Sequence, residues 1–532
     1  MGCGIGVPPM IVVEKHGRDG HATWLHSSLA IYRTPNMKRL LVTLLLLSPL
    51  ASVHAAESRS EAKTAEGKPN ILLIVADDLG WGDVSYHGSR IPTPNLDRLA
   101  REGVELDQHY VMPQCTPTRS SLLSGVWAGR YDGTHNRSGA GGGFPAGMKL
   151  MPEILREAGY TTMHAGKWHV GPSPGARPWE RGFEQTYGSL HGTISPWHHM
   201  GKANDAGDFW QRNGQPLTEE GVHTTDLLTR QAIAWLREQA GQKKPWFLYL
   251  AHFAPHTPLD PPKEWLEKFA DVKFSEDPRK DDLERRYAAT VAHLDDAVGQ
   301  VIATLKETKQ DQNTIVVFTS DNGPARESGG SAGDLRGSKV TTYEGGIRVP
   351  AFVWWPEQLK PLKLVSPVAV VDWLPTFAGL AGGTLPAGQK FDGANIWPLL
   401  DGSAVQVPER LLYLKYLGGM SALRDGGWKL VTRGESRFAL YCMPGPDRGD
   451  ELFNIAEDPF EKHNLAATNP DILARMQNLL IEQMREDSPQ FRDASPQYWW
   501  SRVPEQQKLI EQRQAEIDKE APKKKPASSE EP

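Results

Sequence analysis

The stretch ILLIVADD at residues 71–78 decides the fold that this sequence predicts. Its first six residues are apolar without a break, which is the pattern of a parallel strand covered on both faces. Two aspartates follow at the point where this strand would end. Further along the chain, helical patterns alternate with short apolar runs. This alternation favours an α/β fold with a large, mostly parallel central sheet sandwiched by helices.

Polar side chains follow the ends of four predicted strands, at residues 71–76, 161–165, 246–251 and 314–319. In open α/β sheets, ligands bind beyond the carboxyl ends of the strands. Because parallel strands bring these ends to one edge, we expect the polar groups to converge on a single site. The residues concerned are Asp77, Asp78, Lys167, His169, His252, His256, Asp321 and Asn322.

Four of these residues carry the hard oxygen ligands of a divalent cation: Asp77, Asp78, Asp321 and Asn322. Such a set suits Ca²⁺ or Mg²⁺, whereas Zn²⁺ favours histidine and cysteine ligands. Three carboxylates at one point would also repel one another strongly without a cation. The alternative is that the first two aspartates only cap a turn before Leu79-Gly80.

The length and the net charge of the chain limit the classes of protein to which it can belong. The chain has 532 residues, which suggests one large domain with a smaller one beside it. Its formal net charge of -6 gives no basic signature, so nucleic acid is not an expected partner.

Residues 37–55 have the form of a secretory signal peptide, with a basic start at Met37, a short apolar core and small residues at the cleavage site. The apolar core is too short for stable membrane insertion. Because a signal peptide belongs at an N-terminus, we expect translation to start at Met37 and residues 1–36 to be a non-native upstream extension. An uncleaved signal anchor is the alternative. The prediction is an exported protein, periplasmic or secreted.

The rest of the chain divides by composition. Residues 56–68 are polar and predict a linker, and residues 69–404 carry the α/β pattern. Short strand patterns and a helix at 470–485 predict a small antiparallel sheet with a helix over residues 405–495. Residues 496–532 form a charged tail with no apolar face.

Cys115 is the cysteine that needs a chemical explanation, because the sequence contains only Cys3, Cys115 and Cys442 and no disulfide framework is expected. It lies in the run CTPTRSSLLSG, where Pro117 is expected to start a helix. A position just before a helix N-terminus attracts anions through free N–H groups. A cysteine there is either a thiolate of lowered pKa or a modified residue, and a buried structural role is the third interpretation.

The run Cys115-Thr116-Pro117-Thr118-Arg119 resembles the Cys-x-Pro-x-Arg signature of the type I, formylglycine-dependent sulfatases, an arylsulfatase-like family of the alkaline phosphatase superfamily. The resemblance extends in order over residues 69–485. The other segments similar to the family are 77–83, 93–100, 159–160, 166–169, 319–323, 339–350, 451–454, 458–459 and 464–465.

This resemblance implies a sulfuric-ester hydrolase. It implies that Cys115 is oxidised to Cα-formylglycine by a formylglycine-generating enzyme or an equivalent. One divalent cation, Ca²⁺ in preference to Mg²⁺, would be held by Asp77, Asp78, Asp321, Asn322 and the hydrated aldehyde at position 115. One hydroxyl of the hydrate would attack sulfur, and loss of the proton from the other would later release sulfate.

The resemblance also implies roles for the remaining site residues. Arg119 and Lys167 would hold the hydrate and offset its charge. His169 would take the proton in the elimination step. His256 and Lys339 would bind sulfate oxygens and assist the leaving group. His252 is a rival to His256, which is preferred because Pro255-His256-Thr257-Pro258 is the better match.

The substrate is not readable from the motifs. The resemblance suggests a sulfated carbohydrate or a sulfated small molecule, met by a rim built from loops 131–147 and 172–215. Two alternatives stay open: a phosphonate or phosphodiester hydrolase of the same superfamily, and a catalytically inactive carbohydrate-binding relative. The second would be expected to have lost the cysteine, the arginine or a metal ligand, and none is missing here.

Overall fold

The computed structural model describes residues 67–131, 144–201, 210–405, 410–415, 420–432 and 449–488. The predicted upstream extension, signal peptide and charged tail, most of the linker and one of the short strand patterns, at 438–441, lie outside the described residues. Parts of the two predicted rim loops, at 132–143 and 202–209, and two of the three cysteines also lie outside them. The strands β1 to β17 are Asn70–Ala76, Val104–Leu106, His109–Tyr110, Thr161–Lys167, Gln185–Ser189, Gln211–Arg212, Gln215–Pro216, Trp246–Ala251, Thr314–Ser320, Arg348–Val349, Phe352–Trp354, Leu362–Leu364, Val368–Ala369, Leu412–Lys415, Ser421–Asp425, Trp428–Thr432 and Glu451–Asn454. The helices α1 to α10 are Pro94–Glu102, Cys115–Ser124, Met151–Glu157, Thr224–Gln239, Lys263–Glu267, Pro278–Glu307, Glu344–Ile347, Trp373–Leu380, Trp397–Leu400 and Pro470–Arg485.

A ten-stranded sheet organises the main part of the molecule, with the strand order β12-β2-β11-β9-β1-β8-β4-β5-β6-β7. Its centre, from β9 to β5, is parallel throughout. Strand β11 runs antiparallel to both of its neighbours, and β6 and β7 form an antiparallel hairpin at one edge. The predicted α/β fold with a mostly parallel sheet is therefore confirmed.

Strand β1 lies at the middle of two hydrophobic cores, one on each face of the sheet. Ile71, Leu73 and Val75 pack into one core, whereas Leu72 and Ile74 pack into the other. This alternation follows from the period of two in a strand, and it explains why the run is apolar at every position. Helices α1, α4 and α6 cover one face, and α2, α3 and α8 cover the other.

The C-terminal part forms a separate four-stranded antiparallel sheet in the order β14-β15-β16-β17. Helix α10 packs on it, and residues of the sheet and the helix belong to the same core as one face of the main sheet. The predicted small sheet with a helix is confirmed. Its fourth described strand is Glu451–Asn454, a segment that resembles the family but whose sequence does not predict a strand.

A buried ion cluster joins this small sheet to the main part of the molecule. Lys429 on β16 donates through Nζ to Glu344 Oε1 at 2.7 Å and pairs with Glu461 Oε1 at 2.8 Å. Glu344 also accepts a hydrogen bond from the Tyr110 hydroxyl at 2.8 Å. The lysine and both glutamates are almost completely buried. Because water cannot screen these charges, each depends on its partners.

We expect Lys429→Met to destabilise the folded protein by about 3–5 kcal/mol, because it removes the cation shared by two buried carboxylates and leaves Glu344, among the described residues, with only the longer ion pair to Arg348 at 3.7 Å. Urea unfolding followed by tryptophan fluorescence measures the free energy of unfolding. The matched control is Lys462→Met, since Lys462 is exposed and lies next in sequence to one of the same glutamates. Equal stability of the two variants would show that the cluster contributes nothing to the junction.

Candidate active site

Asp77 and Asp78, which follow β1, lie next to Asp321 and Asn322, which follow β9. The backbone N–H of Asp78 donates to Asp321 Oδ1 at 3.2 Å, and Asn322 Nδ2 donates to Asp78 Oδ1 at 2.7 Å. The two strands pair in parallel up to Ala76, so their carboxyl ends are level. All of these side chains, with that of Asp77, are buried. The expected convergence at one edge of the sheet is present.

Cys115 faces this group from the first turn of α2. Its Sγ lies 3.4 Å from Asp77 Oδ1 and 3.9 Å from Asp78 Oδ1. The helix begins at Cys115 itself, two residues earlier than the expected start at Pro117. Proline is tolerated within the first turn because the N–H groups of that turn have no helical acceptor.

The surroundings of Cys115 do not favour a thiolate. Burial raises the pKa of the Cys115 thiol well above its ordinary value, and the negative charge of Asp321 raises it further. Lys167 and Lys339 act in the opposite direction but do not outweigh these effects. Of the two chemical interpretations of this cysteine, the arrangement therefore disfavours a reactive thiolate of lowered pKa.

Arg119 and Lys167 supply buried positive charge on the far side of the carboxylates. Arg119 lies one turn after Cys115 on α2 and donates to Asp321 Oδ2 from Nε at 3.0 Å and from Nη2 at 2.8 Å. Lys167, the last residue of β4, donates to Asp77 Oδ2 at 2.6 Å. Burial alone would raise the pKa of Asp77, but Lys167 and the other nearby cations hold it below its ordinary value.

His169 is fixed beside the start of α2 by its backbone. Its φ of 55° lies in the left-handed region, which is uncommon for a residue with a side chain. Its N–H donates to the carbonyl of Leu190 at 3.1 Å, and its carbonyl accepts from the Thr116 hydroxyl at 2.8 Å. Burial lowers the pKa of His169 well below its ordinary value, and Lys167 lowers it further. The neutral ring is in the form that can accept a proton.

His256 and Lys339 both lie close to the carboxylate of Asp78. Lys339 Nζ donates to both carboxylate oxygens of Asp78, at 2.6 and 2.8 Å. His256 Nε2 lies 3.7 Å from Asp78 Oδ2, while its Nδ1 is 2.6 Å from the carbonyl oxygen of Thr257. This contact favours a proton on Nδ1. The structure therefore brings His256 to the site.

His252, the rival candidate, is buried at the end of β8. Its backbone N–H donates to the Val75 carbonyl at 2.9 Å, and neither ring nitrogen has a partner among the described residues. Burial lowers the pKa of His252 to about 3, with a further contribution from His293. The structure records no contact between His252 and the carboxylates of the site.

The oxygen donors of the site fit a hard divalent cation. Asp77, Asp78, Cys115 and His256 each offer a ligand atom within 4.8 Å of the others, but a thiol and an imidazole are not ligands that such a cation prefers, so the carboxylates carry the fit. Asn322 Oδ1 is buried and accepts no hydrogen bond from a described residue, so it has a lone pair free for a cation. Carboxylate and amide oxygens are the ligands that Ca²⁺ and Mg²⁺ prefer.

Two supporting residues had no predicted role. Tyr287 on α6 donates through its hydroxyl to Asp83 Oδ2 at 2.6 Å, and the hydroxyl lies 3.2 Å from the carbonyl oxygen of Asp78. Asp78 has a φ of 67°, so its backbone needs such support. Asp83 belongs to a motif already quoted, whereas nothing near Tyr287 in the sequence marked it.

The fold and the site together define a hydrolase of anionic esters, with carboxylates for a cation, buried lysines and an arginine for an anion, and histidines for proton transfer. A sulfatase family model matches residues 69–383. Mouse arylsulfatase J is 33% identical over 468 residues, covering 79% of this chain and 76% of that protein. Human N-acetylgalactosamine-6-sulfatase is 34% identical over 373 residues, covering 65% of this chain and 69% of that protein.

A solved structure agrees with these matches. The crystal structure of Ps i-CgsB in complex with k-i-k-neocarrahexaose superimposes with a TM-score of 0.71 and 32% identity, covering 79% of this chain and 94% of that one. The chain therefore belongs to the sulfatase family, and it is a sulfuric-ester hydrolase.

Proposed function

We propose that this protein hydrolyses sulfate esters of carbohydrates with a formylglycine made from Cys115 and with one bound Ca²⁺. The observation that carries the proposal is the position of Cys115. It starts a helix and lies close to two carboxylates of the candidate metal site, and its burial, together with the negative charge of Asp321, raises the thiol pKa and disfavours a thiolate. An oxidised side chain at this position resolves that conflict.

The hydrated aldehyde supplies one hydroxyl that attacks sulfur and a second whose deprotonation frees the sulfate. Around it, Arg119 and Lys167 hold the hydrate and neutralise its developing charge. His169, neutral because it is buried near two cations, takes the proton of the second hydroxyl. This sequence of steps explains why a nucleophile with only one hydroxyl would be left sulfated.

The leaving group departs on the side of His256 and Lys339. Lys339 binds a sulfate oxygen, and His256 delivers a proton to the departing alcohol. Because the Nδ1–H of His256 is directed to a backbone carbonyl, the proton that His256 delivers comes from Nε2, so the ring acts as the acid with a proton on both nitrogens. His252 takes no part in this step.

We assign the cation to Asp77, Asp78, Asp321 and Asn322, together with the side chain at position 115. The free Oδ1 of Asn322 supports this set, and its oxygen chemistry favours Ca²⁺ or Mg²⁺. We propose Ca²⁺ in preference to Mg²⁺. The cation, when bound, draws negative charge from the sulfate oxygens and from the nucleophile.

The substrate class rests on the names of relatives. One curated relative is an N-acetylgalactosamine-6-sulfatase, and one solved relative binds a neocarrahexaose. A sulfated glycan is therefore the substrate that we propose, with a sulfated aryl alcohol as a convenient assay substrate. The loops at residues 131–147 and 172–215 would form the rim of the active site and contact the sugar.

We further propose that the chain is exported, periplasmic or secreted, after cleavage of residues 37–55. In the described part of the chain, no helix has the length and apolar character needed to cross a membrane. We propose a catalytic domain at residues 69–404 and a C-terminal subdomain at 405–495. The shared hydrophobic core between them predicts that they do not function separately.

Peptide mass spectrometry tests the modified nucleophile directly. We expect the peptide with position 115 from active protein to be about 18 Da lighter than the thiol form, because CHO replaces CH₂SH. Protein made in a host without formylglycine-generating activity is the control and should carry the thiol and lack activity. Full activity with wholly unmodified Cys115 would overturn the proposal.

A further inference from the structure

A second group of metal-binding side chains lies outside the active site, where helices α4 and α6 pack together. His223 caps the start of α4, Asp226 lies in its first turn, and His293 projects from the middle of α6. One ligand atom from each residue lies within 4.8 Å of the other two. The proposed function uses none of the three.

The chemistry of this group differs from that of the active site. Two imidazoles and one carboxylate are the ligands of tetrahedral zinc sites, whereas Ca²⁺ and Mg²⁺ prefer oxygen ligands alone. Both histidines are buried, with 3% exposure each. The Asp226 side chain is 36% exposed, which gives an ion a way in.

A metal ion would replace contacts that these three side chains make in the structure. His293 Nε2 lies 2.9 Å from Asp226 Oδ1, and an ion would part them to the ligand spacing of about 3.4 Å in tetrahedral zinc. His223 Nδ1 accepts a hydrogen bond from the Thr225 N–H at 3.2 Å, at the long end of the normal range, and a metal bond to this nitrogen would replace it. His293 Nδ1 is buried without a partner among the described residues.

The neighbouring rings hold this arrangement in place. The Trp265 ring stacks on His293 with centroids 5.2 Å apart and planes 19° from parallel. The Trp197 ring meets His223 edge-on at 5.3 Å. Because the two imidazoles are themselves only 5.0 Å apart, packing has already fixed most of the orientation that a metal ion would need.

A small cavity lies beside one of the three residues. It has a volume of about 20 Å³, and its lining includes His223, Thr225, Thr290 and His256 but not Asp226 or His293. This is enough for a single water molecule and too little for a sugar ring. An ion with three protein ligands and one water has the coordination number that zinc prefers.

We infer that His223, Asp226 and His293 bind one zinc ion that clamps α4 to α6, at a site separate from the hard cation of the active site. Two metals of different chemistry would then bind the same chain at once. The expected consequence is a more stable protein, because an ion that binds only the folded state raises its Tm.

Zinc titration of the full-length, untagged protein in excess Ca²⁺ tests this inference, because Ca²⁺ keeps the active site filled. Isothermal titration calorimetry should show one Zn²⁺ bound per chain. At free Zn²⁺ of about 100 times Kd, Tm should rise by about 3 °C. Absence of Zn²⁺ binding under these conditions would overturn the inference.

Two conservative variants identify the ligands. His223→Asn keeps a side chain that caps helices well, and Asp226→Asn keeps the shape while removing the charge. Each should weaken Zn²⁺ binding at least about 100-fold. His463→Asn is the control, since that histidine is 78% exposed and outside the cluster, and it should bind Zn²⁺ as before. Unchanged affinity in both ligand variants would contradict the assignment.

Crystals of the unmutated protein soaked in zinc chloride answer the same question without relying on variants that fold. An anomalous difference peak should lie between the two imidazoles and the Asp226 carboxylate. A peak only at Asp77 and Asp78 would mean that zinc competes for the catalytic cation site, and the inference would be wrong.

Discussion

His169→Ala is expected to release about one equivalent of alcohol per active site in a burst and then almost to stop. The variant keeps the groups that attack sulfur and expel the alcohol. It lacks the neutral imidazole that would take the proton from the second hydroxyl, so the sulfated enzyme accumulates. We expect steady-state turnover to fall by about 10²–10⁴-fold, the usual contribution of a general base.

His256→Ala should behave in the opposite way. It should show no burst, and it should slow sugar sulfates far more than nitrophenyl sulfate, because nitrophenolate leaves without a proton. Stopped-flow release of nitrophenol and intact-mass detection of an adduct of about 80 Da, one SO₃, separate the two variants. A burst from the His256 variant and none from the His169 variant would mean that the two roles are reversed.

Asp321→Asn is expected to lower activity by about 10³-fold or more, because it removes negative charge from the cation site and one partner of the buried Arg119. Metal analysis of the purified variant should show less than one Ca²⁺ per chain. Chelation of the unmutated protein should reduce activity to the same level and lower Tm, with recovery when Ca²⁺ is added back.

Asp295→Asn is the matched control for this second prediction. Asp295 is also a buried aspartate, but it accepts hydrogen bonds from the backbone at the start of α1, at 2.8 Å from the Leu96 N–H. The variant should lose stability while keeping its Ca²⁺ content and its activity per folded molecule. Full activity of the Asp321 variant, or of metal-free protein, would argue against a catalytic cation.

The sequence was sufficient for the fold class and for the residues that meet at the strand ends. Uninterrupted apolar runs of about six residues are typical of strands buried on both faces. Strand β8 has the predicted bounds, and β1 begins one residue earlier than predicted. Polar residues directly after such strands can lie only at one edge of the sheet. The family motifs added the arginine and lysine partners, which no periodicity marks.

Features that depend on long-range packing could not be predicted from the sequence. Strand β11 has three residues, and such a short run is specified by its neighbours rather than by its own pattern. Tyr287 sits inside a helix of 30 residues, where one more buried aromatic residue carries no signal. That helix begins at Pro278, where Asp277 caps it by accepting a hydrogen bond from the Arg279 N–H.

Because β1 lies at the centre of the sheet, the protein tolerates insertions and deletions in β1 less well than at the edge of the sheet. Removing one residue from Ile71–Val75 would exchange the side chains that enter the two cores and would shift both following aspartates. No local adjustment could repair both faults at once. The hairpin of β6 and β7 lies at the edge of the sheet, where β7 pairs with β6 alone among the described strands. A change in the length of that hairpin therefore disturbs fewer described strand pairs than a change in the length of β1.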